Sequence, residues 1–231
     1  MGRKVTEMQE KMTNVMEMVY DPRRLNEAWR RVKKNDGSAG IDNVTIKDFK
    51  DRSKILAPIV SKKLKAGTYR FKPAKRVFIP KEGTSKMRPL GIPVVMDRIV
   101  SHSLTQVFEE IYDKDFSESS YGFRRGKNQH MAIKYVQSLV KDGYKWCASI
   151  DLKSFFDEIP HDLILKLLRK KISDERVLTL VARALKAGVV IDGKFEKTSK
   201  GAPQGGLCKA LHKPSYAKKV IMQSNQLIPV I

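Results

Sequence analysis

Cysteine, acid and long apolar runs are all scarce in this chain, and each scarcity excludes something. Cys147 and Cys208 are too few and too far apart for a zinc pattern or a disulfide framework, which fits a reducing compartment. No stretch approaches the roughly 20 apolar residues that cross a bilayer, and the charged N-terminal segment lacks the apolar centre of a signal peptide. A soluble, cytoplasmic protein without a membrane partner is expected. His102, His130, His161 and His212 show neither metal-ligand nor nucleophile-base spacing and are read as packing or surface residues. The acid deficit says most: 25 Asp and Glu face 46 Lys and Arg, a formal charge of +21. Such an excess is costly in self-repulsion unless a polyanion offsets it, so a nucleic acid partner is expected. The excess is also local, with ten Lys or Arg and one acid, Glu82, between residues 60 and 90, and no acid beyond Glu196.

With 231 residues the chain can bury a core in one domain or two small ones. Val5, Met8, Met12, Val15 or Met16, and Val19 recur at helical spacing and predict one amphipathic helix over the first twenty residues. Asp21-Pro22 is a helix start, with Leu25, Trp29 and Val32 on one face up to Gly37. Thr45 caps a third helical stretch ending at Gly67, in which Pro58 is expected to cause a break or kink. Residues 75–80 and 87–92 read as the strands of a basic hairpin around a turn-rich segment. Helical spacing returns over 97–112 and over 129–140, the latter through Ile133, Val136 and Val140. Residues 146–151 read as a buried strand ending on Asp151, followed by helices at 160–170 and 174–187. Asp192-Gly193 between extended residues signals a further hairpin. The expected class is α+β, with helices outweighing strands.

Five segments in order resemble the successive blocks of group II intron reverse transcriptases, also called maturases. They are Asp36-Gly37-Ser38-Ala39-Gly40-Ile41-Asp42; Ile79-Pro80-Lys81 through Arg88-Pro89-Leu90-Gly91-Ile92-Pro93; Ser120 to Gly126; Ile150-Asp151 through Pro160-His161; and Gly201-Ala202-Pro203-Gln204-Gly205-Gly206. The resemblance implies a right-hand fold of fingers and an incomplete palm, RNA-directed DNA polymerisation, and Mg2+ as cofactor. Group II intron RNA, a template, a DNA primer and deoxynucleoside triphosphates would be its partners. Phosphoryl transfer of this kind uses two Mg2+ about 4 Å apart, held by carboxylates. By resemblance Asp151 is the catalytic and metal-binding acid at the end of the first palm strand, with the backbone carbonyl of Leu152 a further ligand. Lys81 and Arg88 would clamp the triphosphate, Arg88 as a bidentate fork and Lys81 as a point charge. Phe156 would press on the sugar and exclude a 2′-hydroxyl, and Gln204 would contact the same sugar. Arg124, Arg125 and Lys127 would meet phosphates of template or primer. Asp157 is read as a helix cap instead of a second metal ligand. Gly122 to Lys127 also imitates a phosphate loop, but its spacing is one residue short and it lacks the Lys-Ser or Lys-Thr ending.

The resemblance divides the chain into a helical N-terminal extension (1–70), fingers and the start of the palm (71–145), a partial palm (146–206) and a tail unlike the family (207–231). The family pattern continues through a Ser-Pro-Leu stretch to a Tyr-Ala-Asp-Asp turn, and neither occurs here; the sequence holds no Asp-Asp pair. A frame change or gene break near residue 207 is the expected cause, and negligible polymerase activity its expected consequence. The rival reading is an intron RNA-binding splicing cofactor in which Asp151 is idle.

Overall fold

A computed structural model describes residues 11–80, 83, 85–122, 124–145 and 155–202. Among them the chain forms eight α-helices, a 3-10 turn and one four-stranded sheet.

The first helix, α1 (Val15–Tyr20), is only six residues long yet sits at the centre, touching three later helices and its successor. Its Val15, Met16 and Val19 are fully buried. The expected helix is therefore shorter at its start: Met12 is not helical but forms a parallel bridge to Ile172, with Met12 N donating to Lys171 O (2.8 Å) and Ser173 N donating to Met12 O (3.0 Å). Residues 5–10 lie outside the described residues. Asp174 explains why the helix begins where it does, because its Oδ2 accepts the N–H of Met16 (2.9 Å).

Helix α2 (Pro22–Asn35) starts as expected, with the Asp21 carboxylate accepting from Arg23 N and Arg24 N and Pro22 in the first turn. Helix α3 (Ile46–Lys65) opens on a reciprocal capping box between Thr45 and Asp48. It runs unbroken through Pro58, against the expected break. Pro58 faces solvent, and the turns after it are anchored by buried Val60 and Leu64 and by Ser61 Oγ donating to Tyr20 O. Tertiary packing thus outweighs the roughly 3 kcal/mol that an interior proline costs.

Strands β1 (Ala74–Pro80) and β2 (Met87–Ile92) form the expected antiparallel hairpin. The long helix α4 (Val95–Tyr112) follows and forms the spine of the core. Ser103 Oγ donates to Val19 O (2.6 Å) and Tyr112 Oη to Leu168 O (2.9 Å), tying α4 to elements on either side of it in sequence. Helix α5 (Gln129–Lys141) forms as expected, but Ile133 (53 %), Val136 (40 %) and Val140 (63 %) are exposed. After the short α6 (Phe155–Glu158) come α7 (His161–Leu168) and α8 (Glu175–Leu185), the latter capped by Asp174.

Strands β3 (Val189–Ile191) and β4 (Lys194–Glu196) make the Asp-Gly hairpin, with Asp192 and Gly193 both at positive φ as a tight two-residue turn requires. The sheet order is β2-β1-β3-β4, and β3 pairs parallel with β1 through Ala74–Val189 and Lys75–Val190. That non-local parallel pair joins two local hairpins, so the sheet is mixed.

Candidate nucleotide and nucleic-acid site

The base of the β1–β2 hairpin is fixed by the glycine-rich segment. A Cβ at Gly40 would lie 2.7 Å from Val94 N, so only glycine lets this segment pass so close to the start of α4. Arg98, on the first turn of α4, donates through Nε to Pro93 O (2.9 Å) and through Nη2 to Ser38 O. Burial lowers the Arg98 pKa, which the carboxylates of Asp42 and Asp36 partly offset. Beside it, buried Asp97 accepts from Tyr69 Oη (2.6 Å) and Lys72 N (2.8 Å), pinning the segment that leads into β1. Burial raises the Asp97 pKa to about 6 despite those two hydrogen bonds. An exposed Lys72–Asp42 pair (3.4 Å) closes the cluster.

Above this base the hairpin register sets Arg88 opposite Ile79 and Met87 opposite Pro80. Lys81 follows Pro80 directly in sequence, so Arg88 stands across the ladder from a position two residues before Lys81. Phe78, Ile79 and Met87 at this end are exposed.

The loop after α4 corrects one expectation in detail. Arg124 does not face outward: its side chain is 7 % exposed and its guanidinium is consumed within the chain. Nε and Nη2 bind the Asp113 carboxylate (3.0 and 3.2 Å), Nη1 donates to Ser117 O and Ser120 O, and the Phe116 ring lies 5.3 Å away. Arg124 therefore shapes the loop. Lys127 is also engaged, by Glu118 (3.0 Å) and over the Tyr121 ring (5.1 Å), whereas Arg125 is exposed. Tyr121 in turn meets Tyr135 of α5, so the loop and that helix form one surface.

Asp151, Leu152, Lys81 and Gln204 lie outside the described residues, and Phe156 is described as part of the α6 backbone. Asp157 falls inside the short α6 and is exposed, and the helix expected after it, α7, has Pro160 at its N-cap with no side-chain cap, so Asp157 is not the cap of that helix. Among the described residues no group of three or more His, Cys, Asp or Glu could hold a metal ion, and no helix is long and apolar enough to cross a membrane.

His161, read from the sequence as a packing or surface residue, is a packing residue with a specific partner. It is buried, and its Nε2 lies 2.8 Å from Gly201 O, the first residue of the Gly-Ala-Pro-Gln-Gly-Gly segment. Gly201 N donates to Ile159 O (2.8 Å), Pro160 and Lys200 form an antiparallel bridge, and Lys200 Nζ reaches Glu158 (2.6 Å). The only available signal was its place directly after Pro160 at the end of the Asp151 block.

A cavity of about 290 Å³ lies elsewhere, among Met16, Leu64, Tyr69, Leu180, Arg176 and Arg183. Arg176 is taken by Glu17 and Asp174, and Arg183 by Gly67 O and Tyr69 O.

Comparison with known proteins places these segments together. Residues 79–212 match the family described as reverse transcriptase (RNA-dependent DNA polymerase). Protein YkfC of Escherichia coli K12 is 36 % identical over 207 residues, covering 87 % of this chain and 54 % of that protein. The group II intron-encoded protein LtrA of Lactococcus lactis is 35 % identical over 186 residues, covering 80 % of this chain but 30 % of LtrA. The chain thus spans about half or less of the length of these relatives. A chain of a partial Cas6-RT-Cas1–Cas2 complex shares the fold, with TM-score 0.52 at 18 % identity over 85 % of this chain and 33 % of the other. The match over more than half of the sequence makes this chain a member of the reverse transcriptase family, and its relatives include group II intron-encoded proteins and intron maturases.

Proposed function

We propose that the chain is the nucleotide- and template-handling part of an RNA-directed DNA polymerase encoded by a group II intron. The register of β1 and β2 carries this reading. It sets Arg88 opposite Ile79, and Lys81 follows Pro80 in the sequence, which supports reading Arg88 as a bidentate fork and Lys81 as a point charge for a triphosphate. Arg125, with the basic run of residues 60–90, supplies sequence-independent attraction for template and primer. Asp151 is the acid at the reacting centre, and the division into extension, fingers and partial palm follows from the same assignment.

The carboxylates of this chain do not fit a two-magnesium site. Asp151 stands without an Asp-Asp pair anywhere in the sequence, and Mg2+ demands near-octahedral oxygen ligation with anionic bridges between the ions. No bond-making step is therefore assigned to the chain by itself. Primer extension on poly(rA)/oligo(dT) with Mg2+ should give no product above background, and steady extension by the purified chain would overturn this point.

A second reading, an intron RNA-binding splicing cofactor, is favoured by the exposed cations Arg23, Arg30, Arg31, Lys33 and Lys34 along α2. Filter binding separates the two. Preference for a structured intron over random RNA of equal length, with no binding of deoxynucleoside triphosphate, selects the cofactor. Triphosphate binding that depends on Arg88 selects the polymerase part.

A further inference from the structure

We infer that Phe195, on the edge strand β4, is a stacking site for an unpaired base of RNA, with Lys75 on the same face of the sheet meeting a phosphate beside it. The register builds that face. Paired residues of neighbouring strands point to one side, so Ile92, Lys75, Val190 and Phe195 form a row across all four strands. The alternation continues along the β1–β2 hairpin through Leu90 to Arg88. No acid falls on this face among the described residues of the four strands, because Glu196 pairs with Val189 on the other. That other face holds the buried Ala74 and Val189 and is the one turned to the core.

Phe195 is 54 % exposed, yet its ring is not loose. A Cβ at Gly188 would lie 2.4 Å from Cε2 of Phe195, so the far end of the ring rests directly on that glycine, which stands at φ +79. Gly188 O accepts from Ala74 N (3.0 Å), and just past β4 Thr198 Oγ1 donates to Leu185 O (2.7 Å), so the β3–β4 hairpin is tied down on both sides. A ring seated in this way is held in place before a base arrives and leaves apolar surface in water for that base to cover. Lys75 is exposed two strands away, roughly 10 Å across the ladder, where it can meet a phosphate of the strand whose base lies on the ring. Cations without acids favour a polyanion, and an open ring favours one whose base faces are free, which a duplex buries in its own stack. An unpaired stretch of RNA meets both conditions. Either reading of the chain supplies such RNA, and the site uses neither Asp151 nor Lys81.

The test uses the full chain and an unstructured RNA oligonucleotide carrying one 5-iodouridine, free or annealed to its complement. Fluorescence anisotropy reads affinity, and ultraviolet crosslinking reads contact. Phe195→Tyr keeps a stacking ring, whereas Phe195→Leu keeps apolar bulk over Gly188 without one. Phe195→Leu should weaken single-strand binding roughly tenfold and duplex binding little, with Phe195→Tyr close to wild type. Lys75→Gln should lower the slope of log affinity against log salt by about 0.7 for the single strand. Lys194→Gln, an equal loss of charge on the opposite face, should leave that slope unchanged. In the wild-type chain the iodouridine should crosslink within residues 195–197, the tryptic peptide that begins at Phe195, and this decides the matter should the leucine variant not fold. The proposal is overturned if Phe195→Leu binds the single strand as wild type does, or if Phe195→Tyr is as weak as Phe195→Leu. It is equally overturned if duplex binding falls as far as single-strand binding, if Lys194→Gln flattens the slope as much as Lys75→Gln, or if the crosslink lies elsewhere. A wild-type chain that binds no single-stranded RNA overturns it outright.

Discussion

Asp97 offers a sharp test of how the hairpin base is built. Its carboxyl is almost wholly buried, and burial raises its pKa from 3.8 to about 6 even though Tyr69 Oη and Lys72 N both donate to it. A raised folded-state pKa means that between pH 4 and 6 the native chain holds a proton the unfolded chain has released. The contribution is therefore full below pH 4 and lost as pH rises through 6. A rise of about two pH units at 1.36 kcal/mol each makes this loss about 3 kcal/mol by neutral pH. Lys72 and Asp42 are the other charges facing the site, and they act in opposite directions. Asp97→Asn removes the titration while preserving both hydrogen bonds, its Oδ1 accepting from Lys72 N and its Nδ2 donating to Tyr69 Oη. Urea unfolding of both chains at pH 4.5, 5.5, 6.5 and 7.5 cancels the background of other carboxylates. The stability difference should grow in favour of Asp97→Asn by about 2 kcal/mol across that range, the rest of the loss falling below pH 4.5. A flat difference, or a variant less stable than wild type at pH 7.5, would refute the reasoning.

Other consequences are as direct. Asp174→Ala removes the cap of α8 and leaves Met16 N–H buried without its acceptor, so urea unfolding should show a loss of about 2–4 kcal/mol. Gly40→Ala drives a Cβ into the backbone at Val94, and a thermal melt should fall by the equivalent of about 1–3 kcal/mol. Arg124→Ala should cost about 2 kcal/mol in urea and admit protease at residues 117–127, because it releases Asp113 and two loop carbonyls. Arg125→Ala should leave stability within about 0.5 kcal/mol of wild type, yet lower the slope of log RNA affinity against log salt by about one in filter binding.

Local chemistry was legible in the sequence where a signal is short-range. Asp21-Pro22, the Thr45 cap and Asp192-Gly193 each carry their reason within four residues, and each forms as read. The hairpin was legible for the same reason, and the ordered blocks made the family recognisable. What escaped was decided by partners distant in sequence. Met12 leaves the helical pattern because residues 171–173 offer it a bridge, and Pro58 stays helical because the core beyond it holds the next turns. The parallel β1–β3 pair joins segments more than a hundred residues apart, beyond any periodicity. Arg124 looked like a phosphate contact because its charge is visible in sequence, whereas the Asp113 carboxylate and the carbonyls that consume it are visible only in three dimensions. The partner of His161 was invisible for the converse reason, being a main-chain oxygen of Gly201 that no residue type advertises.

The proposed triphosphate clamp of the hairpin is tested most directly by photo-crosslinking of dTTP to the wild-type, Arg88→Ala and Arg125→Ala chains with Mg2+ and an RNA–DNA primer-template. Saturable labelling that Arg88→Ala weakens about tenfold, and that Arg125→Ala leaves unchanged at saturating primer-template, is the outcome the proposed clamp predicts. Labelling absent from the wild type, or equal in the wild type and Arg88→Ala, would contradict it.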